Sequence, residues 1–255
     1  GSNSNGFNTL YSTRIEMPGS TTLSGSSGII ISNSLIRPDA NGTRDLGAST
    51  ARWRKIYLTT APDVSSDVRL KEKIKVSEQV YDFAFQPNRR LAFVPGQYME
   101  WTLGHKKIDS RGNRRSFTIA SSPSEEDVHL GVKFYQPSSS YKKALLAMQP
   151  GDKIAASGLA GSFTLPHDEQ RKLVFIAGGI GITPFRSMLK YIVDTKEKRD
   201  ITLFYALSSA QEATYKDVLR AAQLNGAKIV PVITPNLLDA AKIRQQVPDF
   251  AERMF

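Results

Sequence analysis

The sequence predicts a β + α/β protein. A closed antiparallel barrel of six short strands would be followed by an incomplete parallel α/β domain, behind a polar β-rich N-terminal appendage. Three observations carry this prediction. Short alternating runs punctuated by Gly and Pro fill the stretch from 68 to about 166. From 172 onward, buried-type apolar runs alternate with segments of helical period. Residues 1–66 are rich in Ser, Thr, Asn and Gly, with too few apolar residues for a core of their own.

The barrel strands are predicted at 68–75, 80–86, 98–103, 115–120, 128–135 and 153–157, with one helical patch at 141–148. Pro95-Gly96 and Pro150-Gly151 are turn dipeptides at two of the junctions. In the second part, strands are expected at 172–177, 200–207 and 227–234, and helices at 183–195, 212–224 and 238–247. Strand and helix in alternation call for right-handed crossovers in a parallel sheet. The last residues, 252–255, read as the beginning of a fourth strand. The domain boundaries follow: 1–66, 67–167 and 168–255.

Composition narrows the chemistry. At 255 residues the chain is long enough for two domains or one with an appendage. It has no cysteine, which removes disulfides, thiolate catalysis and cysteine-ligated metal or iron–sulfur sites from these residues. His105, His129 and His167 show no metal-ligand spacing and read as ordinary surface or loop residues. The net charge is +10, but the cations are dispersed in pairs such as Arg89-Arg90, Lys106-Lys107 and Arg114-Arg115. Without an aromatic-interleaved basic stripe, no nucleic-acid partner is expected. Solvated charge is the plain reading and an acidic partner the sharper one. No run approaches the roughly 18 apolar residues of a membrane span. Residues 1–8 lack the basic start and apolar core of a signal peptide. The expected location is the cytoplasm, or the cytoplasmic face of a membrane within a larger protein.

Within the N-terminal segment, short β-like runs stand at 28–32 and 55–59. The stretch from Arg37 to Tyr57, which includes Trp53, resembles the repeats near the ends of phage tail fibres and tailspikes. That resemblance implies trimeric β-structure through residues 1–66. Residues 65–74 are similar to the start of the self-cleaving chaperone attached to such fibres, without its helical remainder.

The run Ala177-Gly-Gly-Ile-Gly-Ile-Thr-Pro184 follows an apolar strand and opens a helix, the context that marks a phosphate-binding turn. Glycines let the backbone turn tightly and come close to a ligand. Thr183 is expected as the N-cap and Pro184 as the first helical residue. Unpaired amides and the positive dipole end there favour a pyrophosphate.

A second signal is Arg115-Ser-Phe-Thr-Ile-Ala-Ser-Ser-Pro123. Alternation on a strand puts Arg115, Phe117 and Ile119 on one face, and Ser116 and Thr118 on the other. Arg offers a charged fork for a diphosphate and Phe a flat surface for a ring.

The order of motifs is more specific than any one of them. Pro95-Gly-Gln-Tyr98 precedes Arg115-Ser-Phe-Thr118, and a strand-to-helix stretch at 132–141 comes next. Gly151-Asp-Lys-Ile154, Gly158-Leu-Ala-Gly-Ser-Phe163 and Gly178-Gly-Ile-Gly-Ile-Thr-Pro184 complete the series. In this order the chain from 68 to 255 resembles the ferredoxin–NADP⁺ reductase family, in which a six-stranded flavin-binding barrel precedes a nicotinamide-nucleotide domain.

The resemblance implies a flavin-dependent oxidoreductase passing a hydride from NADH or NADPH to FAD, with FMN second to FAD. Electrons would then move to a redox acceptor protein or domain. Arg115 would bind the flavin pyrophosphate, Phe117 would stack on the isoalloxazine, and Thr118, the catalytic candidate, would hydrogen-bond near the flavin N5. Ser139 and Ser140 would stand against the flavin phosphates, with Ser138-Ser-Ser140 standing where the family has glycine, and Ser116 and Lys133 are further cofactor-binding candidates. Gly178, Gly179, Gly181, Thr183, Pro184 and Ser208 would hold the nicotinamide nucleotide. After the second strand the chain reads Ala206-Leu-Ser-Ser-Ala-Gln-Glu212, with hydroxyls but no Arg for a 2′-phosphate and no acidic residue clearly placed for NADH. The family's Gly-Pro segment and C-terminal aromatic do not appear before Phe255, so activity of the chain as it stands is left open. The rival reading is a tail-fibre structural fragment joined to a non-functional reductase piece.

Overall fold

The computed structural model describes residues 29–32, 35–38, 47–48, 51–52 and 66–255, in two units, Gly1–Leu58 and Thr59–Phe255. In the first unit β1 (Ile29–Ser32) pairs antiparallel with β2 (Leu35–Pro38), and β3 (Gly47–Ala48) pairs with β4 (Ala51–Arg52). The run predicted at 55–59, Trp53 and most of the tail-fibre-like stretch lie outside the described residues.

The second unit begins with the six expected strands. They are β5 (Ser66–Lys75), β6 (Val80–Gln86), β7 (Tyr98–Thr102), β8 (Arg114–Thr118), β9 (Val128–Lys133) and β10 (Lys153–Ala160). Between the last two lies α1 (Ser140–Ala147), whose N-cap Ser139 accepts from the Lys142 amide. The sheet is antiparallel, in the order β8-β7-β10-β5-β6-β9. Its two outer strands come together where the Ala120 amide donates to the His129 carbonyl at 2.8 Å, which rolls the sheet into a barrel.

Alternation explains what fills it. Phe83 and Phe85 on β6, Met99 and Trp101 on β7, and Val128, Leu130 and Val132 on β9 turn one face inward and are buried. Phe85 and Trp101 meet with ring centroids 5.2 Å apart. Each such buried side chain contributes roughly 1.5–3 kcal/mol over leaving it in water. Tyr141 and Leu145 of α1 plug the same core.

The chain then switches to β11 (Leu173–Gly178), α2 (Thr183–Thr195), β12 (Ile201–Leu207), α3 (Lys216–Leu224), β13 (Lys228–Ile233) and α4 (Ala240–Gln246). The three strands are parallel in the order β11-β12-β13. At the open edge of β11, Met254 pairs in parallel with Leu173. The Val174 amide donates to the Met254 carbonyl at 2.8 Å; the terminal residues, expected to begin a strand, make a single bridge to this sheet.

Two local expectations are corrected. The helix predicted at 212–224 begins only at Lys216; Ala210–Glu212 is a 3-10 turn. Tertiary packing overrides the helical period here. Tyr215 is pulled into the domain junction with φ at 54°, and the Thr214 hydroxyl bonds the buried Tyr205 hydroxyl at 3.1 Å. Thr183 is not the N-cap of α2. The 3-10 turn Gly179–Ile182 runs straight into the helix, and the Thr183 hydroxyl donates to the Ile180 carbonyl at 3.3 Å instead of capping an amide.

The barrel and the α/β part meet over β9. A Cβ on Gly131 would lie 2.2 Å from the Tyr215 hydroxyl and 2.8 Å from Thr183 Cγ2, so this position has to be glycine for the junction to close. Beside it the Ser187 hydroxyl donates to the Ser121 carbonyl at 2.6 Å.

Candidate functional site

The second unit presents two patches. The first is built on β8 and α1. Register pairs Trp101 with Arg115, Met99 with Phe117 and Tyr98 with Thr118. Arg115 and Phe117 share one face, as alternation predicts. The guanidinium lies 5.1 Å from the Tyr141 ring centroid, and the Phe117 ring lies 6.1 Å from it. Ser116 is exposed on the other face; Thr118 is half-buried, opposite a partly exposed Tyr98.

Arg115 is anchored on one side only. Its Nη1 donates to the carbonyls of Arg111, Gly112 and Arg114 at 2.7, 3.1 and 2.6 Å. Its Nη2 is buried with no hydrogen-bond partner among the described residues; Asp109 Oδ1 is 3.6 Å from it. An unmatched guanidinium nitrogen of this kind suits an anionic oxygen.

Ser139 and Ser140, expected as phosphate donors, are engaged within the protein. Ser139 caps α1. The Ser140 amide donates to Asp109 Oδ2 at 2.9 Å, and the Asp109 amide donates back to the Ser140 hydroxyl at 3.0 Å. The Ser140 amide above all holds the Asp109 carboxyl below the usual carboxylate range. His105 Nε2 lies 3.1 Å from the same hydroxyl.

Tyr141, read from the sequence only as part of a helical patch, is the floor of this patch. Its hydroxyl donates to the Trp101 carbonyl at 3.1 Å, and burial pushes its phenol far up, so it stays a neutral donor. His129 departs from its surface reading: it sits on β9 with Nδ1 at 2.8 Å from Asp82 Oδ2. No group of three or more metal-ligating side chains occurs among the described residues.

The second patch is the glycine turn. Gly179 has φ at 49°, a conformation that costs a residue with Cβ and costs glycine nothing. Cβ atoms on Gly178, Gly179 or Gly181 would meet nothing within 4 Å, so all three border open space. Thr183 is buried against β9, and Pro184 stands in the first turn of α2, so the turn is held at the barrel wall. A cleft of about 350 Å³ opens there, lined by Lys133, Gly179, Ala206, Ser208, Glu212 and Asn236 among others. A larger hollow of about 730 Å³ is lined only by residues 235–245. The smaller one carries the chemistry, since it joins a barrel cation to the glycine turn.

Glu212 is the residue of this cleft that the sequence reading left inside a helix. On its 3-10 turn its carboxylate reaches back, accepting the Ser208 amide at 3.2 Å and facing Lys133 Nζ at 3.3 Å. Burial works against its charge, but the Ser208 amide and the Lys133 ammonium hold it below the usual carboxylate range. Lys133 also lies 5.5 Å from the Tyr135 ring centroid, and Tyr135 is largely exposed. Of the expected cofactor-binding residues, Gly179, Ser208 and Lys133 thus meet in one cleft. Arg115, Phe117 and Thr118 belong to the patch on β8.

Comparison with known proteins matches these two parts separately. Residues 67–165 match the family model described as an oxidoreductase FAD-binding domain, and residues 175–245 the one described as an oxidoreductase NAD-binding domain. A flavohemoprotein of Bacillus subtilis is 30% identical over 164 residues, 62% of this chain and 40% of that protein. The reductase component of propane 2-monooxygenase from Mycolicibacterium goodii is 33% identical over 127 residues, 49% of this chain and 35% of that protein. The chain spans about two fifths of the length of the curated relatives it matches. Among solved structures, ferredoxin–NADP⁺ reductase from Plasmodium falciparum with 2′P-AMP has a TM-score of 0.62 at 21% identity, covering 72% of this chain and 80% of that one. At that identity the likeness is one of fold.

Proposed function

Since residues 67–165 and 175–245 belong to the FAD- and NAD-binding oxidoreductases of the ferredoxin–NADP⁺ reductase type, we propose that this chain passes a hydride from a nicotinamide nucleotide to bound FAD. Electrons would then go to an acceptor protein or domain. Residues 67–167 are the flavin part and 168–255 the nucleotide part. The observation that carries the proposal is the junction itself. The glycine turn is seated on barrel strand β9 by the contact of Thr183 and Tyr215 with Gly131, and Lys133 of that strand reaches into the nucleotide cleft.

The residues present fit the two groups. Arg115 brings a buried, unmatched Nη2 to a diphosphate. Gly178, Gly179 and Gly181 border open space where a pyrophosphate could approach the backbone. When bound, the flavin would supply the redox chemistry, accepting one hydride, which is two electrons with one proton. The protein binds and orients. Arg115 would hold the phosphates, Phe117 would offer a ring face, Thr118 would offer a hydroxyl to the flavin ring, and the glycine turn with Ser208 and Lys133 would hold the donor. Ser139 and Ser140 hold the start of α1, through the cap on Lys142 and the pair with Asp109. No acid or base is asked of the chain for hydride transfer.

The absorption spectrum of the purified protein, with FAD added and then NADH or NADPH admitted anaerobically, tests this reading. A flavin band that bleaches with either donor is the expected result. A protein that takes up no flavin at all would sink the proposal. For residues 1–66 the tail-fibre resemblance assigns trimerisation, and sedimentation of the chain with and without that segment tests it.

No helix among the described residues is long and apolar enough to cross a membrane.

A further inference from the structure

The sequence leaves open which nicotinamide nucleotide is the donor, and the placement of Glu212 bears on that choice. β12 lies beside β11, with Gly178 level with Ala206, so the 3-10 turn after β12 stands next to the glycine turn after β11. In open α/β sheets a dinucleotide lies across the carboxyl ends of the strands. Its pyrophosphate sits at the first strand-to-helix turn, and its adenosine ribose at the end of the next strand. Here that second position is Ser208 to Glu212.

We infer that Glu212 is the residue that makes NADH the donor and turns away the 2′-phosphate of NADPH, through the carboxylate it projects into the cleft beside Gly179. The inference rests on the donor reading above and adds to it the identity of the donor.

Three features of the cleft support this. A ribose diol can donate hydrogen bonds to a carboxylate, which keeps acceptor capacity beyond its two present partners. A 2′-phosphate instead brings about 1.5 to 2 negative charges and accepts hydrogen bonds, as the carboxylate does. The carboxylate cannot turn aside freely, because the Ser208 amide and Lys133 hold it from two directions. Lys133 is the one cation lining the cleft among the described residues, and it is already matched by Glu212. No arginine lines it to offset a phosphate.

The test is equilibrium binding of ADP-ribose and of 2′-phospho-ADP-ribose to the FAD-loaded protein by calorimetry. Anaerobic rates of flavin reduction by NADH and NADPH accompany it. The wild type should bind ADP-ribose at least about tenfold more tightly than its 2′-phosphorylated form. Glu212→Gln, which keeps the shape and removes the charge, should narrow that gap mainly by gaining affinity for the 2′-phosphate, since Lys133 is then free to meet it. Glu212→Ala should do the same with some loss for ADP-ribose. Melting curves of both variants check that the fold is kept. Equal binding of the two ligands by the wild type, or a gap that neither variant moves, overturns the role of Glu212 and leaves the donor site standing. Binding of neither ligand overturns both.

Discussion

Arg186 of α2 grips the Glu125 carboxylate of the barrel across the domain junction. Its Nη2 donates to Glu125 Oε1 at 2.8 Å, its Nη1 pairs with Oε2, and the same Nη1 donates to the Ala120 carbonyl at 3.1 Å. The guanidinium lies 5.6 Å from the Tyr215 ring centroid, and Tyr215 in turn faces Asp82 of β6 at 3.5 Å. The nucleotide part is thus docked on the barrel by a nearly buried ion pair.

Glu125→Ala leaves the Arg186 charge buried and unmatched, and should cost about 3–5 kcal/mol in a denaturant melt. Replacing both partners with apolar residues of similar size should cost much less, because the desolvation of both charges disappears with them.

The same pair sets an acid limit. Burial raises the Glu125 carboxyl, but the Arg186 guanidinium and the Ser122 amide outweigh it and hold the group below its usual 4.5. A carboxyl depressed on folding stabilises fully above its unfolded value, and that stability is lost as pH falls through the lower folded value. The melting temperature should therefore drop below about pH 4.5. In Glu125→Gln that part of the acid limb should flatten.

Arg115→Ala removes the guanidinium whose buried Nη2 has no hydrogen-bond partner among the described residues. FAD and FMN affinity should fall by at least about tenfold in fluorescence titrations, while riboflavin, which has no phosphate, binds as before. Equal loss for all three flavins would mean the substitution had disturbed β8 instead.

Thr118→Val keeps the shape and removes the hydroxyl. Anaerobic stopped-flow reduction should slow by roughly tenfold, the value of one hydrogen bond near 1.4 kcal/mol, with FAD affinity little changed.

Gly131→Ala should wedge the junction. The new Cβ would sit 2.2 Å from the Tyr215 hydroxyl, and relieving that overlap should cost about 1–3 kcal/mol of stability. Flavin reduction by NADH should slow more than FAD binding weakens, since the barrel's own patch on β8 is untouched.

Much of this was legible in one dimension. The β6 strand at 80–86 and the α2 helix at 183–195 stand where alternation and helical period place them. Arg115 and Phe117 share a face because a strand has a period of two, and the glycine turn follows its strand as the spacing requires. Periodicity failed where distant packing decided. The segment 212–215 has the residues of a helix, yet Tyr215 is buried between Gly131, Asp82 and Arg186, and the helix starts one residue later.

By itself the sequence determined the class of the protein, its barrel followed by a parallel α/β part, and the chemistry of its two principal motifs. These depend on interactions between near neighbours, whose pattern a linear chain displays. Only the tertiary structure decided that Ser140 is bound to Asp109, that Tyr141 floors the patch of Arg115, and that Lys133 and Glu212 face each other across one cleft. Those pairings join residues 31, 26 and 79 positions apart. A contact at such separation is settled by which faces are buried together, and no local pattern of residues records that choice.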